Sequence, residues 1–438
     1  MNARALAIRV LERVETGRAF LNLALDAELS RARRLDPRDA ALVTELCYGA
    51  MRRQLAVDHA LAHFSNKPLS QIEARVLCAL RVGAYQLFYL RLPKRAAVAE
   101  TVEAVKQLGS SRAAGFANAL LRKLSQLEEQ PLPPASDWLA HLAVRESHPQ
   151  WLVARWADRF GRQAAEAMVS ANNRPAPLTV RANATRTRRD ALLEQLARAG
   201  LTARPTAASP QGVMIANPGN IRELPGYREG LWQVQDEAAQ LVVQYAAVAD
   251  GCRVLDACAA PGGKACQLAE RAFVVANDIH RGKLGRLEAE AERLGLRDRF
   301  ELLEHDATAP FPKRLKQFDA VLVDAPCSGL GTLHRHPELR YRRNESDIPR
   351  LVSLQREILD SCRQAVSPGG LLVFAVCSTE PEEGEQQVDW LLRANPEFAL
   401  EPPSGGLSLP LERGFLRTLP GKQSWDGFFA ARLRRRSG

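Results

Sequence analysis

The chain contains no Cys-x-x-Cys pair, and its eight cysteines are scattered over 438 residues. That absence excludes a disulfide-stapled scaffold and a recognisable zinc ribbon, so reduced thiols are expected. No apolar run approaches the roughly 18 residues of a membrane span. The opening stretch MNARALAIRVLERVETG carries charges throughout where a signal peptide needs an apolar core, and a cytoplasmic protein is expected. The chain also lacks an internal repeat.

What is present is ordinary in bulk: 46% apolar and 25% charged residues, as in soluble globular proteins. The length suits roughly three domains of about 150 residues each. The charge distribution says more than the net value of +10. Residues 1–235 hold 33 Lys and Arg against 21 Asp and Glu, whereas residues 236–438 hold 27 against 29. A basic half joined to a near-neutral half fits a polyanion-binding module attached to a catalytic one, and nucleic acid is the expected polyanion. A GC-rich coding sequence rich in arginine codons is the bland alternative.

Residues 1–135 read as an all-helical domain. Asp36-Pro37 supplies an N-cap and a first-turn proline. Ser70 and Glu73 are expected to form a capping box. Gly109 closes one of two further helical patterns. The acidic, proline-rich stretch LEEQPLPPAS, 127–136, reads as a linker. Over 145–235 the runs PLTVRAN, TRRDALLEQLARAG and GVMIAN predict a small α+β module that contacts RNA or links its neighbours. From 236 to 438, strand and helix patterns alternate and predict a doubly wound, Rossmann-like α/β domain. GFFAARL is expected as an antiparallel addition, and Arg434-Arg435-Arg436 as a solvated tail.

In that domain the first turn, Cys258-Ala259-Ala260-Pro261-Gly262-Gly263-Lys264, places two glycines where backbone must approach a ligand at a helix N-terminus. It is not the Gly-x-Gly-x-x-Gly of dinucleotide sites. Asp256 lies in the first strand, and Asp278, Asp306 and Asp324 are expected at the ends of the next three. Such a ring of carboxylates favours a ligand with hydroxyls, an amine and positive charge, hence S-adenosylmethionine rather than NAD. A lone strand-end Asp is ordinarily a cap for the next helix.

Two cysteines follow consecutive apolar runs, Cys327 after FDAVLVD and Cys377 after GGLLVFA. If those strands are parallel neighbours about 4.8 Å apart, both thiols reach one crevice. The chemistry such a pair suits is cytosine methylation at C5. That carbon is a poor nucleophile until a thiolate adds to C6, after which loss of the C5 proton and expulsion of the thiolate restore the ring. Cys377, Asp324 and Cys327 supply the thiol, an acid partner for the ring edge and help in elimination. For Cys47, Cys78, Cys252 and Cys362 the reading is a small apolar core residue. A zinc site using Cys258, Cys327 and Cys377 with His305 or His334 lacks close-spaced ligand pairs, so no metal is expected. A disulfide between Cys327 and Cys377 is disfavoured in a reducing cytoplasm.

At these residues the chain resembles the RNA cytosine-5 methyltransferase family, the NOL1/NOP2/Sun family. Asp256 through Lys264 is similar to its cofactor motif and Asp324-Ala325-Pro326-Cys327-Ser328-Gly329 to its signature loop. Gly331, Arg335, His336, Pro337 and Glu338 match as well, followed by Leu354 and Gln355. Val376 stands where the family commonly has Thr. The resemblance implies that Cys377 attacks, that Cys327 aids product release, and that Asp324 touches the base beside the cofactor; Lys264 is a further catalytic candidate. The helical domain resembles the NusB-type RNA-binding domain of the bacterial Sun/Fmu/RsmB branch, and Gly230 to Glu237 extends the likeness over nearly the whole chain. It implies S-adenosylmethionine as cofactor and small-subunit (16S) rRNA, or a small-subunit assembly intermediate, as substrate, at the cytidine conventionally numbered 967; a monomer is expected. Two other readings stay open: a tRNA cytosine-5 methyltransferase, and a non-catalytic RNA-binding assembly or antitermination factor.

Overall fold

A computed structural model describes residues 2–17, 19–32, 35–315, 317–404 and 409–437. Packing divides the chain into two units: residues 1–175 with 333–343, and residues 176–332 with 344–438. Among the described residues no helix is long and apolar enough to cross a membrane.

The first unit is helical: α1 (Ala3–Gly17), α2 (Leu21–Arg31), α3 (Pro37–Arg52), α4 (Gln54–Phe64), α5 (Ala74–Tyr89), α6 (Lys94–Gln107), α7 (Ala114–Ser125), α8 (Trp138–Arg145), α9 (Gln150–Phe160) and α10 (Arg162–Asn172). Asp36 caps α3 as expected, accepting from the Arg38 amide at 2.8 Å. The Ser70–Glu73 capping box does not form. A 3-10 turn over Leu69–Gln71 precedes an extended Ile72, and α5 begins at Ala74 without a side-chain cap. Ile72 is buried ahead of the helix, so tertiary packing overrides the local signal.

The second unit carries two sheets. In the smaller, β1 (Leu178–Ala182), β2 (Ala203–Pro205), β3 (Gly212–Ile215) and β4 (Trp232–Val234) are antiparallel in the order β2-β3-β1-β4, with α11 (Arg189–Arg198) packed on them. Arg181, fully buried on β1, donates to Gln235 Oε1 at 2.7 Å and Gln233 Oε1 at 3.0 Å and pairs with Glu270, which fastens this sheet to the larger one.

The larger layer begins at α12 (Glu237–Ala246), capped by Asp236, and continues β5 (Arg253–Asp256), α13 (Gly263–Ala269), β6 (Phe273–Asp278), α14 (Arg281–Leu294), β7 (Phe300–Glu304) and β8 (Phe318–Asp324). The short helix α15 (Leu339–Arg342) belongs to the first unit, and the second resumes with α16 (Asp347–Gln364), β9 (Val366–Val376), α17 (Glu385–Ala394) and β10 (Phe398–Leu400) to β11 (Leu411–Glu412), β12 (Phe415–Arg417) and β13 (Phe429–Arg435). The sheet runs β11-β12-β13-β9-β8-β5-β6-β7, with β10 beside β13. Strands β9, β8, β5, β6 and β7 are parallel, and β13 is antiparallel to β9 as GFFAARL led one to expect. Adjacent residues such as Val254 and Leu255 feed two separate cores, one per face, which is why these strands read as unbroken apolar runs. The chain order reverses at β5 and β8, the switch point where doubly wound sheets bind ligands.

Two expectations shift. Arg434 and Arg435 are not a solvated tail: they end β13, where Arg434 pairs with Glu401 at 2.8 Å and Arg435 donates to the Val366 carbonyl. Backbone pairing carries them into the sheet, Arg434 opposite Leu371 of β9 and Arg435 opposite Phe398 of β10, and Arg434 together with Arg432 holds Glu401 down to about 2. Asp306 lies two residues beyond the end of β7.

Residues 333–343 complete the first unit. Arg340, 1% exposed, donates to the Arg52, Asn172 and Ser147 carbonyls and to Asn173 Oδ1 at 2.7–3.3 Å. It thereby satisfies carbonyls that the ends of α3, α8 and α10 leave open. Glu338, also buried, accepts from the Leu21 amide at 3.0 Å.

Candidate active site

The turn after β5 is shaped by backbone contacts to its neighbours. The Ala257 amide donates to Leu322 O at 2.9 Å and the Ala259 amide to Asn277 O at 2.7 Å, fixing Cys258 to Pro261 over the switch point. Asn277 Nδ2 in turn donates to Ala257 O at 2.9 Å and His305 O at 3.0 Å, so one side chain ties the loops after β5 and β7. Gly262 caps α13 at φ 106°, and a Cβ there would lie 2.9 Å from the Leu287 side chain. Only glycine combines that dihedral with that approach. Gly263 opens α13.

Lys264 projects from the first turn of α13. Its Nζ sits 2.7 Å from Asp324 Oδ2 and 4.8 Å from the centre of the Phe428 ring. Burial pulls the ammonium pKa down, but Asp324 more than offsets it and leaves Lys264 above its ordinary value. Cys377 also lies close enough to interact with it electrostatically. Asp256, 1% exposed, is treated differently: neither carboxylate oxygen makes a well-formed hydrogen bond, and the Cys258 amide helps only weakly. Burial first and the Asp324 charge second push its pKa up to about 7. Burial likewise raises the Cys258 thiol well above its usual range. Asp278 Oδ1 accepts from the His280 amide at 2.8 Å, with Lys283 Nζ at 3.9 Å. Asp306 is exposed and spends Oδ1 on the Thr308 amide and hydroxyl at 3.0 and 2.8 Å, bonds that hold its pKa below the usual carboxylate range. It caps its own turn, as a lone strand-end Asp ordinarily does.

The two thiols meet as the parallel strands imply. Cys327 Sγ and Cys377 Sγ are 3.4 Å apart, both are free, and both are half-buried. The hydrogen bond to Cys377, then burial, drives the Cys327 pKa well up. Gly331 locks the loop: its amide donates to Cys377 O at 3.1 Å, and a Cβ on it would strike Gly427 O. Arg335, His336, Pro337 and Glu338, which share the family pattern, lie instead in the first unit. Among the described residues no group of three or more His, Cys, Asp or Glu is arranged to hold a metal ion. Cys47, Cys78 and Cys362 are buried as expected, whereas Cys252 is only half-buried.

Sequence reasoning missed two residues. Asn277 reads as an ordinary polar residue inside FVVAND, although a buried amide in an apolar run signals a bonding duty. Glu383 is fully buried between the two thiol loops. In EPEEGEQQ it is one carboxylate among four, with nothing to mark which turns inward.

A doubly wound sheet with a glycine turn and converging carboxylates at its switch point defines the methyltransferase class. The family described as 16S rRNA methyltransferase RsmB/F matches residues 243–434, the NusB family residues 1–126, and a ferredoxin-like domain of the RsmF/B-like methyltransferases residues 148–222. The chain is 38% identical to ribosomal RNA small subunit methyltransferase B of Pseudomonas putida over 99% of this chain and 98% of that one. It is 37% identical to the Vibrio cholerae protein of the same name over 99% and 97%. A solved structure described as a methyltransferase homolog from Pyrococcus horikoshii superposes with a TM-score of 0.59 at 26% identity, over 69% of this chain and 100% of that one. The chain belongs to the 16S rRNA methyltransferase RsmB/F family. S-adenosylmethionine is accordingly its methyl donor.

Proposed function

We propose that the protein methylates C5 of a cytidine in 16S rRNA, the one numbered 967, through a covalent adduct between Cys377 and C6 of the ring. The observation that carries this reading is the 3.4 Å approach of Cys327 to Cys377 beside the Lys264–Asp324 pair. Family membership supports the rRNA substrate. The proposed division of labour keeps residues 1–135 and 145–235 for RNA and 236–438 for chemistry, in a monomeric cytoplasmic enzyme.

The cofactor fits the residues present. Asp256 keeps a buried carboxylate without a well-formed bond, matched to a ligand with an amine and a positive sulfonium; Gly262 and Gly263 turn the backbone into α13 after it; Asp278 would take the ribose hydroxyls. When bound, S-adenosylmethionine supplies an electrophilic methyl group. Lys264 stays a cation within electrostatic reach of the Cys377 sulfur that attacks C6. Asp324 is placed to hold the base edge while its other oxygen steadies Lys264. Once C5 carries the methyl group, its proton passes to solvent and the electrons of that C–H bond expel the Cys377 thiolate. The Cys327 thiol, kept protonated by its raised pKa, donates a hydrogen bond to that departing sulfur and eases expulsion. Cys258, Ala259, Ala260 and Pro261 contribute backbone to the cofactor cradle, and Asp306 lies at its outer margin.

Radiolabelled S-adenosylmethionine incubated with separated 16S rRNA and tRNA tests the reading. Label on 5-methylcytidine in the rRNA is expected. Label in tRNA alone would move the substrate, and label in neither would leave an RNA-binding assembly factor.

A further inference from the structure

The mechanism asks thiols on two strands to act on one ring, and a carboxylate that takes no part in the chemistry joins their loops. Glu383 is fully buried, and burying a carboxylate is costly unless donors surround it. Its Oε1 accepts from the Ser328 amide at 2.8 Å and Gln355 Nε2 at 3.1 Å; its Oε2 accepts from the hydroxyls of Ser328 and Ser378. Those serines directly follow Cys327 and Cys377 in the chain. Their hydroxyls are 3.1 Å apart, close to the 3.4 Å separation of the two sulfurs. Gln355 also donates to Pro326 O at 3.0 Å, so the residues on both sides of Cys327 are held, and Gln387 Nε2 fixes Gln355 Oε1 at 2.9 Å.

We propose that Glu383 is a positioning residue that sets the spacing of Cys327 and Cys377, and through it the release of methylated RNA. The release part rests on the covalent reading above; the spacing part does not. The arrangement also says what kind of substitution it tolerates. Glutamine can still accept both N–H bonds with its oxygen, and its amide can donate to serine hydroxyls that turn round to accept. Methionine fills the same space and satisfies none of the four donors.

The test uses full-length Glu383→Met and Glu383→Gln proteins. One readout is turnover, with denaturant-resistant protein–RNA complex scored on gels. A second is independent of RNA: affinity for phenylarsine oxide, a trivalent arsenical that bridges two adjacent thiols. Glu383→Met should bind S-adenosylmethionine normally, lose about tenfold or more in kcat and in arsenical affinity, and accumulate the complex. Glu383→Gln should stay within about threefold of wild type in each readout. A Glu383→Met protein that turns over and binds the arsenical like wild type overturns the proposal. So does a Glu383→Gln protein as defective as the methionine variant, because charge rather than hydrogen bonding would then be at work. Arsenical binding that weakens while no variant, Cys327→Ala included, yields the complex upholds the spacing role and sinks the covalent mechanism instead. If Glu383→Met fails to fold, the double variant Ser328→Ala, Ser378→Ala carries the same predictions.

Discussion

Two buried carboxylates in the same domain have opposite surroundings. Asp256, at the cofactor end of the switch point, keeps both oxygens without a well-formed bond, and burial beside Asp324 raises its pKa to about 7. Glu383, between the thiol loops, is equally buried and accepts four hydrogen bonds from protein donors. On the proposed reading Asp256 waits for a charged ligand and is left unsatisfied by its own chain, whereas Glu383 joins the thiol loops and is saturated by them.

Substitutions on either side of the switch point test this difference. The largest effect is expected at the thiols: Cys377→Ala should reduce methylation by a factor of about a thousand or more with the fold intact, as measured by label transfer. Residual turnover within tenfold of wild type would remove it as nucleophile. At the cofactor end, Asp256 has a folded pKa raised above its unfolded value. It therefore contributes stability that is present below about pH 4 and is lost as pH rises through about 7. Denaturant unfolding of the cofactor-free protein should show a decline of up to about 4 kcal/mol across that window. Asp256→Asn should flatten that decline, and identical slopes would show that the charge is compensated in the folded state. Asp324→Asn should destabilise the protein by about 2 kcal/mol, because it strips Lys264 of its partner where the ammonium is largely buried. An unchanged denaturation midpoint would mean that water replaces the pair. Smallest is Asp278→Ala: S-adenosylmethionine affinity should fall about tenfold by calorimetry, with RNA affinity unaffected. Equal cofactor affinity would take Asp278 out of the site.

Much of this arrangement was legible because it is written in local patterns. Apolar runs ended by Asp-Ala-Pro-Cys and Val-Cys-Ser disclosed parallel strands and therefore converging thiols, and the APGGK turn disclosed a glycine-shaped helix start. The failures have tertiary causes. Ser70 and Glu73 carry a capping signal that burial of Ile72 overrides, and Arg434 and Arg435 look like a charged tail until β9 and Glu401 recruit them. Residues 333–343 follow the signature loop in sequence yet complete the helical unit, because Arg340 finds its acceptors at three helix ends there. Glu383 was hidden among neighbouring carboxylates, since sequence does not tell which acidic side chain of a run turns inward.

Two adjacent thiols are proposed to divide one reaction, Cys377 forming the bond to the ring and Cys327 helping to break it. Incubation of Cys327→Ala with 16S rRNA and S-adenosylmethionine, with the products resolved on a denaturing gel, separates the two roles. A retarded protein–RNA band carrying methylated cytidine is expected, absent when Cys377 is also replaced by alanine. Free methylated RNA released at the wild-type rate, with no retarded band, would contradict it.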